Sequence, residues 1–300
     1  MSFLSALPGA VAQGILWGLM AIGVYITFRV LDFADLTVDG SFATGGAVLV
    51  INTINGGNIY TGLLFAFLAG AAAGFVTGIF HTRFGIPAIL AGILTQLALY
   101  SVNLRILDGK ANQTLSVLKY DLLVSLRDIP HSIFVGIIIT VILIAALYWF
   151  FGTELGCSIR ATGANEAMSK ANGINTNKNI IIGLIISNGI VALSGALISQ
   201  YQGFADVNMG RGAIVIGLAA VIIGEVIFGK FFTNFALKLT TCVLGGIIYY
   251  IVITLVLRLG LNANDLKLFS ALVVALFLGA PHWKSGIAAK RVGKAGTRNA

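Results

Sequence analysis

The 300-residue chain is 58% hydrophobic and only 10% charged, with a net charge of +8 from 19 Lys and Arg against 11 Asp and Glu. Soluble domains carry about 25% charged residues, and a mean hydropathy of +0.96 leaves too little polar surface for one. This excludes a soluble enzyme, a disulfide scaffold and a disordered chain, and it fits an all-α, polytopic membrane helical bundle.

At roughly 20 residues per crossing, charge-free runs separated by turn residues predict about nine spanning helices, the shorter ones tilted, broken or re-entrant. Met1–Phe28 carries no charge and supplies a span at about 10–28. It lacks a basic leader, so it reads as a retained span and not a cleaved signal. Gly40–Thr82 lacks acids, Lys and Arg, and Asn52-Thr-Ile-Asn-Gly-Gly-Asn58 divides it into spans at about 39–52 and 61–80. Pro87 opens a fourth, ending near Val102. Further spans are predicted at about 131–151, 180–201, 212–229 (containing Glu225), 239–257 and 267–281. Residues 1–281 thus read as one transmembrane domain and 282–300 as a tail with Lys284, Lys290, Arg291, Lys294 and Arg298.

Basic residues favour the cytoplasmic side of a membrane protein. Taking the tail as cytoplasmic places the N-terminus outside, 152–179 inside as a polar loop, and 103–130 outside. The bias is modest, because Asp32, Asp35 and Asp39 beside Arg29 leave one inner segment acidic. The basic excess sits beside spans, so it gives no reason to expect nucleic-acid binding.

Glycine is abundant, with 37 residues. Gly70, Gly74 and Gly78 fall on one helix face, the pattern by which membrane helices pack closely. Cys157 and Cys242 lie far apart, His81, His131 and His282 are isolated, and no metal-ligand spacing is present. Gly224-Glu-Val-Ile-Phe-Gly-Lys230 fits the first part of a phosphate loop. However, Phe231 stands where Ser or Thr must hold Mg²⁺, and the run ends an apolar helix. No catalytic constellation and no nucleotide site are expected.

Three places carry polar chemistry. Glu225 is an intramembrane acid, which suggests either a proton or cation site or a pair with Lys230 or neighbouring backbone. In Leu31-Asp-Phe-Ala-Asp-Leu-Thr-Val-Asp-Gly-Ser-Phe-Ala-Thr-Gly-Gly46, Asp39 and Ser41 are placed to cap a helix start. That helix begins either in a loop or within the membrane depth. In Gly152–Lys178, Thr162 is predicted to cap a short helix that runs to about Ala171 and ends at Asn172-Gly173. Such a helix suits docking onto a cytoplasmic partner; the alternative reading of the segment is a solvated loop.

The run Arg160-Ala-Thr-Gly-Ala-Asn-Glu166, followed by Ala171-Asn-Gly-Ile-Asn175, resembles the cytoplasmic loop of bacterial ABC importer permeases of the branched-chain amino acid/ribose family. Gly14-Ile-Leu-Trp-Gly-Leu-Met-Ala-Ile-Gly23, Asp32-Phe-Ala-Asp35 with Gly45-Gly46, and Ser194-Gly-Ala-Leu197 agree in order and spacing. So does Gly210-Arg-Gly212 ahead of Ile216–Gly224. The resemblance covers most of the chain. The Leu31–Asp39 wording is similar to a subgroup paired with tryptophan- or tyrosine-type binding lipoproteins.

The resemblance implies a permease subunit, not itself an enzyme, that moves a small solute such as an amino acid by alternating access in the bacterial plasma membrane. It implies a second permease copy as homodimer, cytoplasmic ABC ATPase subunits that bind the ATP and Mg²⁺, and an extracytoplasmic binding lipoprotein, with loop 103–130 facing the latter. Coupling to the ATPase would fall to Arg160, Thr162, Gly163, Asn165, Glu166, Lys170, Gly173 and Asn175. Polar residues in or beside spans, Asp39, Ser41, Thr44, Gln96, Asn188 and Gln200, are the pathway candidates. The alternative reading is an ion-coupled secondary transporter using Glu225.

Overall fold

A computed structural model describes residues 3–258 and, beyond them, 268, 271, 272 and 275. The expected ninth span at about 267–281 and the tail at 282–300 otherwise lie outside the described residues. The first helix, α1 (Phe3–Tyr25), passes into a π-helical turn at Ile26–Val30. The wider turn then gives way to an irregular run, Leu31–Leu36, with Asp32 in the left-handed region at φ 53°. Next come α2 (Thr37–Ile54), α3 (Ile59–Thr82) and α4 (Ala88–Ile106). Asn58 caps α3 by accepting from the Tyr60 amide at 3.1 Å, and Pro87 immediately precedes α4. After β1 (Asn112–Thr114) follows α5 (Ile129–Phe151), capped by Asp128 through the His131 amide at 3.2 Å. Two short helices, α6 (Glu154–Ala164) and α7 (Glu166–Ala171), lead into α8 (Thr176–Gln202). Next come β2 (Phe204–Asp206), α9 (Ala213–Phe228) and α10 (Phe235–Arg258). Strand β2 pairs antiparallel with β1, Asn112 opposite Asp206.

Nine crossing helices are not found among the described residues. Six stretches are long and apolar enough to cross: Ala6–Val30, Ile59–Thr82, Ala88–Ile106, Ile129–Phe151, Thr176–Gln202 and Phe235–Leu257. The two remaining expected spans have physical reasons to differ. Helix α9 has 16 residues, a rise of about 24 Å, short of the roughly 30 Å hydrocarbon core. Helix α2 carries Thr37, Asp39, Ser41, Thr44 and Asn52, and most of its length is buried inside the bundle.

Burial separates the central helices from the peripheral ones. In the spanning window of α8, 72% of residues are buried, against 17% in that of α5, which lies at the periphery of the bundle. Close backbone contact holds the centre together. A Cβ at Gly45 would collide with the Ala192 carbonyl, and one at Gly195 with the Phe42 carbonyl, so α2 and α8 touch main chain to main chain. Gly70 and Gly74 of α3 abut the Asn188 and Leu184 carbonyls of α8 in the same way. The small-residue face read from the sequence is therefore a packing face.

Candidate functional site

A chain of buried hydrogen bonds crosses the bundle at the middle of α8. Asn188 lies near the midpoint of this 27-residue helix and is fully buried. Its amide nitrogen donates to Asp35 Oδ2 at 2.7 Å and to the Leu184 carbonyl at 3.1 Å, while its oxygen accepts from Ser41 Oγ at 2.6 Å. The other Asp35 oxygen accepts from the Thr37 amide at 2.9 Å. Thr37 Oγ1 then meets Thr77 Oγ1 at 2.7 Å, and Thr77 donates to Thr95 at 2.8 Å. Residues from the Leu31–Leu36 run, α2, α3, α4 and α8 are joined in one network with no exposed member. Buried polar groups are expensive unless paired, so the network specifies how these elements meet.

Of the six pathway candidates, Ser41 and Asn188 meet directly. Asp39 acts elsewhere: its carboxylate accepts from the Gly212 and Ile214 amides, each at 2.9 Å, and so caps α9 from across the bundle. A carboxylate at a helix N-terminus satisfies free N–H groups and favours the helix dipole. Because Asp39 and Ser41 share one helix, α9 starts near the level of the middle of α8. Thr44 turns its hydroxyl back to the Gly40 carbonyl at 2.9 Å. Gln96 is half-buried on α4, whose backbone there lies close to Gly40. Gln200 is buried toward the far end of α8, where its Oε1 accepts from the Leu123 amide at 3.1 Å and anchors the 103–130 segment.

The expected cap of α2 is thus corrected. That helix begins at Thr37, and the residue folding back on its first amide is Asp35. Sequence reasoning missed Asp35 as a buried group because, with Asp32 and Asp39, it is one of three acids that read together as an acidic inner segment. The available signal was the apolar company of Leu31 and Phe33, both buried.

The second polar assembly is α6–α7. Asn165 divides the predicted single helix in two and caps α7 by accepting from the Met168 amide at 2.9 Å. Thr162 is not a cap. It lies inside α6, its hydroxyl bonded to the Ser158 carbonyl at 2.8 Å and receiving the Asn179 amide at 2.8 Å. Asn179 also donates to Ser158 Oγ at 2.7 Å, so the first turn of α8 grips α6. Gly163 packs against the Val30 carbonyl of the π-turn, leaving no room for a Cβ. Gly173, at φ 79°, makes the turn after α7, and Asn175 caps α8 through the Lys178 amide at 3.1 Å. Glu166 pairs with Lys170 at 2.8 Å and accepts from Thr176 Oγ1 at 3.2 Å. The Lys170 hydrogen bond, with that of Thr176, holds the Glu166 carboxyl below its usual range. Arg160 is exposed, its guanidinium 5.4 Å from the centre of the Phe235 ring. At the same end of the bundle Glu225 pairs with Arg29 of the π-turn, and not with Lys230.

Residues 7–281 match the family model described as branched-chain amino acid transport system / permease component. The chain belongs to this permease family. The permease is 39% identical over 283 residues to the tyrosine transport system permease protein of Clostridioides difficile (strain R20291), a match covering 92% of this chain and 91% of that one. It is 32% identical over 210 residues to the autoinducer 2 import system permease protein LsrC of Yersinia pseudotuberculosis serotype O:3 (strain YPIII), covering 69% of this chain and 58% of that one. Its fold is similar to a transporter described as of metal-chelate ABC type in an inward-facing conformation, with TM-score 0.51, 15% identity, and 94% and 85% of the two chains covered. The permease is a multi-pass membrane protein and the transport subunit of an ABC importer for a small solute. Family membership implies ATPase and binding-protein partners.

Proposed function

We propose that the permease carries an amino acid of tyrosine type across the bacterial plasma membrane, as one of two identical copies that enclose the pathway. The substrate class rests on the 39% identity, over almost the whole chain, to the tyrosine permease. A cytoplasmic ABC ATPase, which supplies the ATP and Mg²⁺ sites, docks on α6–α7. An extracytoplasmic binding lipoprotein docks on the opposite end, where segment 103–130 and the β1–β2 pair are anchored to α8.

One observation carries the coupling role: α6 is gripped from two sides, by Asn179 of α8 and by the π-turn at Gly163. The π-turn ends at Val30, and the chain runs directly from there to Asp35. A displacement of α6 therefore reaches the mid-membrane network through one contiguous stretch of main chain. π-Turns inside helices are frequent at functional positions, and ATPase closure alters the permease only if its two states contact α6–α7 differently. The ion-coupled reading gains no support from Glu225, whose carboxylate is taken by Arg29.

Met168 is 64% exposed on α7, an apolar knob on the proposed docking face. Truncating a central interface anchor costs about 1–2 kcal/mol, so Met168→Ala is expected to weaken ATPase binding about tenfold while leaving the thermal stability of the isolated permease unchanged. Affinity measured with the purified ATPase on immobilised permease checks this. Unchanged affinity for both Met168→Ala and Met168→Asp would place the docking face elsewhere.

A further inference from the structure

Beside α6 lies a surface feature that the pathway does not use. A trough of 590 Å³ runs between α1, α5 and α10, walled by Ile15, Ile137, Ile144, Val243 and Ile247. Its two threonines spend their hydroxyls on their own helices. Thr140 bonds the Gly136 carbonyl at 2.8 Å and Thr240 the Ala236 carbonyl at 3.0 Å. What faces the trough is therefore hydrocarbon. At the α6 end the trough meets a second cavity of 640 Å³, lined by Thr153, Arg160, Thr233, Asn234 and Phe235. Tyr148 lines both cavities, so the two adjoin. Tyr148 and its neighbour Trp149 are 50% and 73% exposed, the aromatic placement typical of the membrane–water boundary.

Arg160 gives the polar cavity its sign. It rests over the Phe235 ring, and among the described residues it forms no ion pair. An unpaired guanidinium in a pocket at the headgroup level complements a phosphate, which it can bind with two parallel hydrogen bonds. Thr233 and Asn234 add polar groups to the same wall.

We propose that this paired trough and pocket is a binding site for an anionic phospholipid, with an acyl chain along α1, α5 and α10 and the headgroup phosphate on Arg160. The occupant is amphiphilic because the two cavities are: one offers only carbon and the other a cation. A lipid seated there ties α6 to the foot of α10, so the lipid composition of the membrane bears on the same helix that the ATPase moves. Arg160 then holds α6 to the lipid, while the exposed Met168 of α7 meets the ATPase.

The test uses native mass spectrometry of the full permease in detergent, titrated with phosphatidylglycerol or, for comparison, phosphatidylcholine. Phosphatidylglycerol is expected to be retained about tenfold more strongly, and Arg160→Gln to remove that preference, in line with the loss of a hydrogen bond to a charged group. Lys119→Gln, at the opposite end, is expected to change nothing. A short-chain phosphatidylglycerol and glycerol phosphate separate the two halves of the site: both are expected to bind about tenfold or more weakly than the long-chain lipid. Equal retention of the anionic and zwitterionic lipids, or a preference that survives Arg160→Gln, would overturn the proposal. A benzophenone side chain placed at Ile144 gives a second readout that does not depend on affinity. The expected photoproduct has the mass of permease plus one lipid. A covalent permease dimer, or a cross-link to residues 259–300 of the same chain, would assign the trough to a second copy or to the chain's own end and overturn the lipid site.

Discussion

Asp35→Asn is expected to lower transport about tenfold or more, and exchanging the two partners, Asp35→Asn with Asn188→Asp, to recover much of it. Both Asp35 oxygens accept hydrogen bonds, from the Thr37 amide and from Asn188. An asparagine there has one acceptor and one NH₂ group, so one of the two neighbouring donors is left facing another donor. Stranding a buried polar group costs about 1–3 kcal/mol, a large share of a marginal stability. Asn188→Asp alone places two carboxylates in contact and is expected to be worse. In the exchanged pair, the asparagine now at position 35 keeps an acceptor for the Thr37 amide. Its NH₂ group donates to the carboxylate now at position 188, whose other oxygen still receives Ser41. The bond lost is the one from residue 188 to the Leu184 carbonyl. Uptake and thermal unfolding of the four proteins form a double-mutant cycle. A purely additive result would show that Asp35 and Asn188 do not act as a pair.

Gly45→Val is expected to abolish recovery of folded permease altogether. The Ala192 carbonyl occupies the place of any Cβ at position 45, and it is main chain at the centre of the buried α8. Ordinary overpacking costs about 1–3 kcal/mol because side chains shift. Here the helix axes themselves must separate, which also pulls Ser41 from Asn188 and Asp39 from the start of α9. Gly195→Val meets the Phe42 carbonyl and is expected to behave alike. Gly152→Ala, whose Cβ would lie an ordinary 3.4 Å from the Trp149 and Tyr148 carbonyls, is the control expected to leave recovery intact. Size-exclusion profiles of detergent-extracted protein separate these outcomes. Monodisperse Gly45→Val in normal yield would contradict the main-chain contact.

These two cases show what the sequence could and could not carry. The apolar runs put helices in the right places because hydropathy reports the solvent directly. Ser41 and Asn188 stood out as polar residues among apolar neighbours, and both belong to the network. Asp35 did not, since its depth depends on the π-turn and the irregular run that carry the chain back into the bundle, and neither has a compositional signature. The role of Asp39 was hidden for a related reason. An aspartate before a glycine and a serine satisfies the pattern of a local cap, whereas the amides it satisfies belong to the start of α9, far along the chain. In the α6–α7 segment the end at Asn172-Gly173 was legible from turn chemistry. The break at Asn165 was not, because Thr162 offered an equally good capping side chain. Its real partner, Asn179, is supplied only by the packing of α8.

The most direct test is reconstitution of the permease in proteoliposomes with its ATPase and binding protein, followed by uptake of the amino acid that the binding protein retains. Uptake is expected to require ATP on the α6–α7 side and binding protein on the other, and to fall when Met168→Ala loosens the ATPase. Uptake that persists without ATP, or that an imposed proton gradient drives in its place, would contradict that expectation.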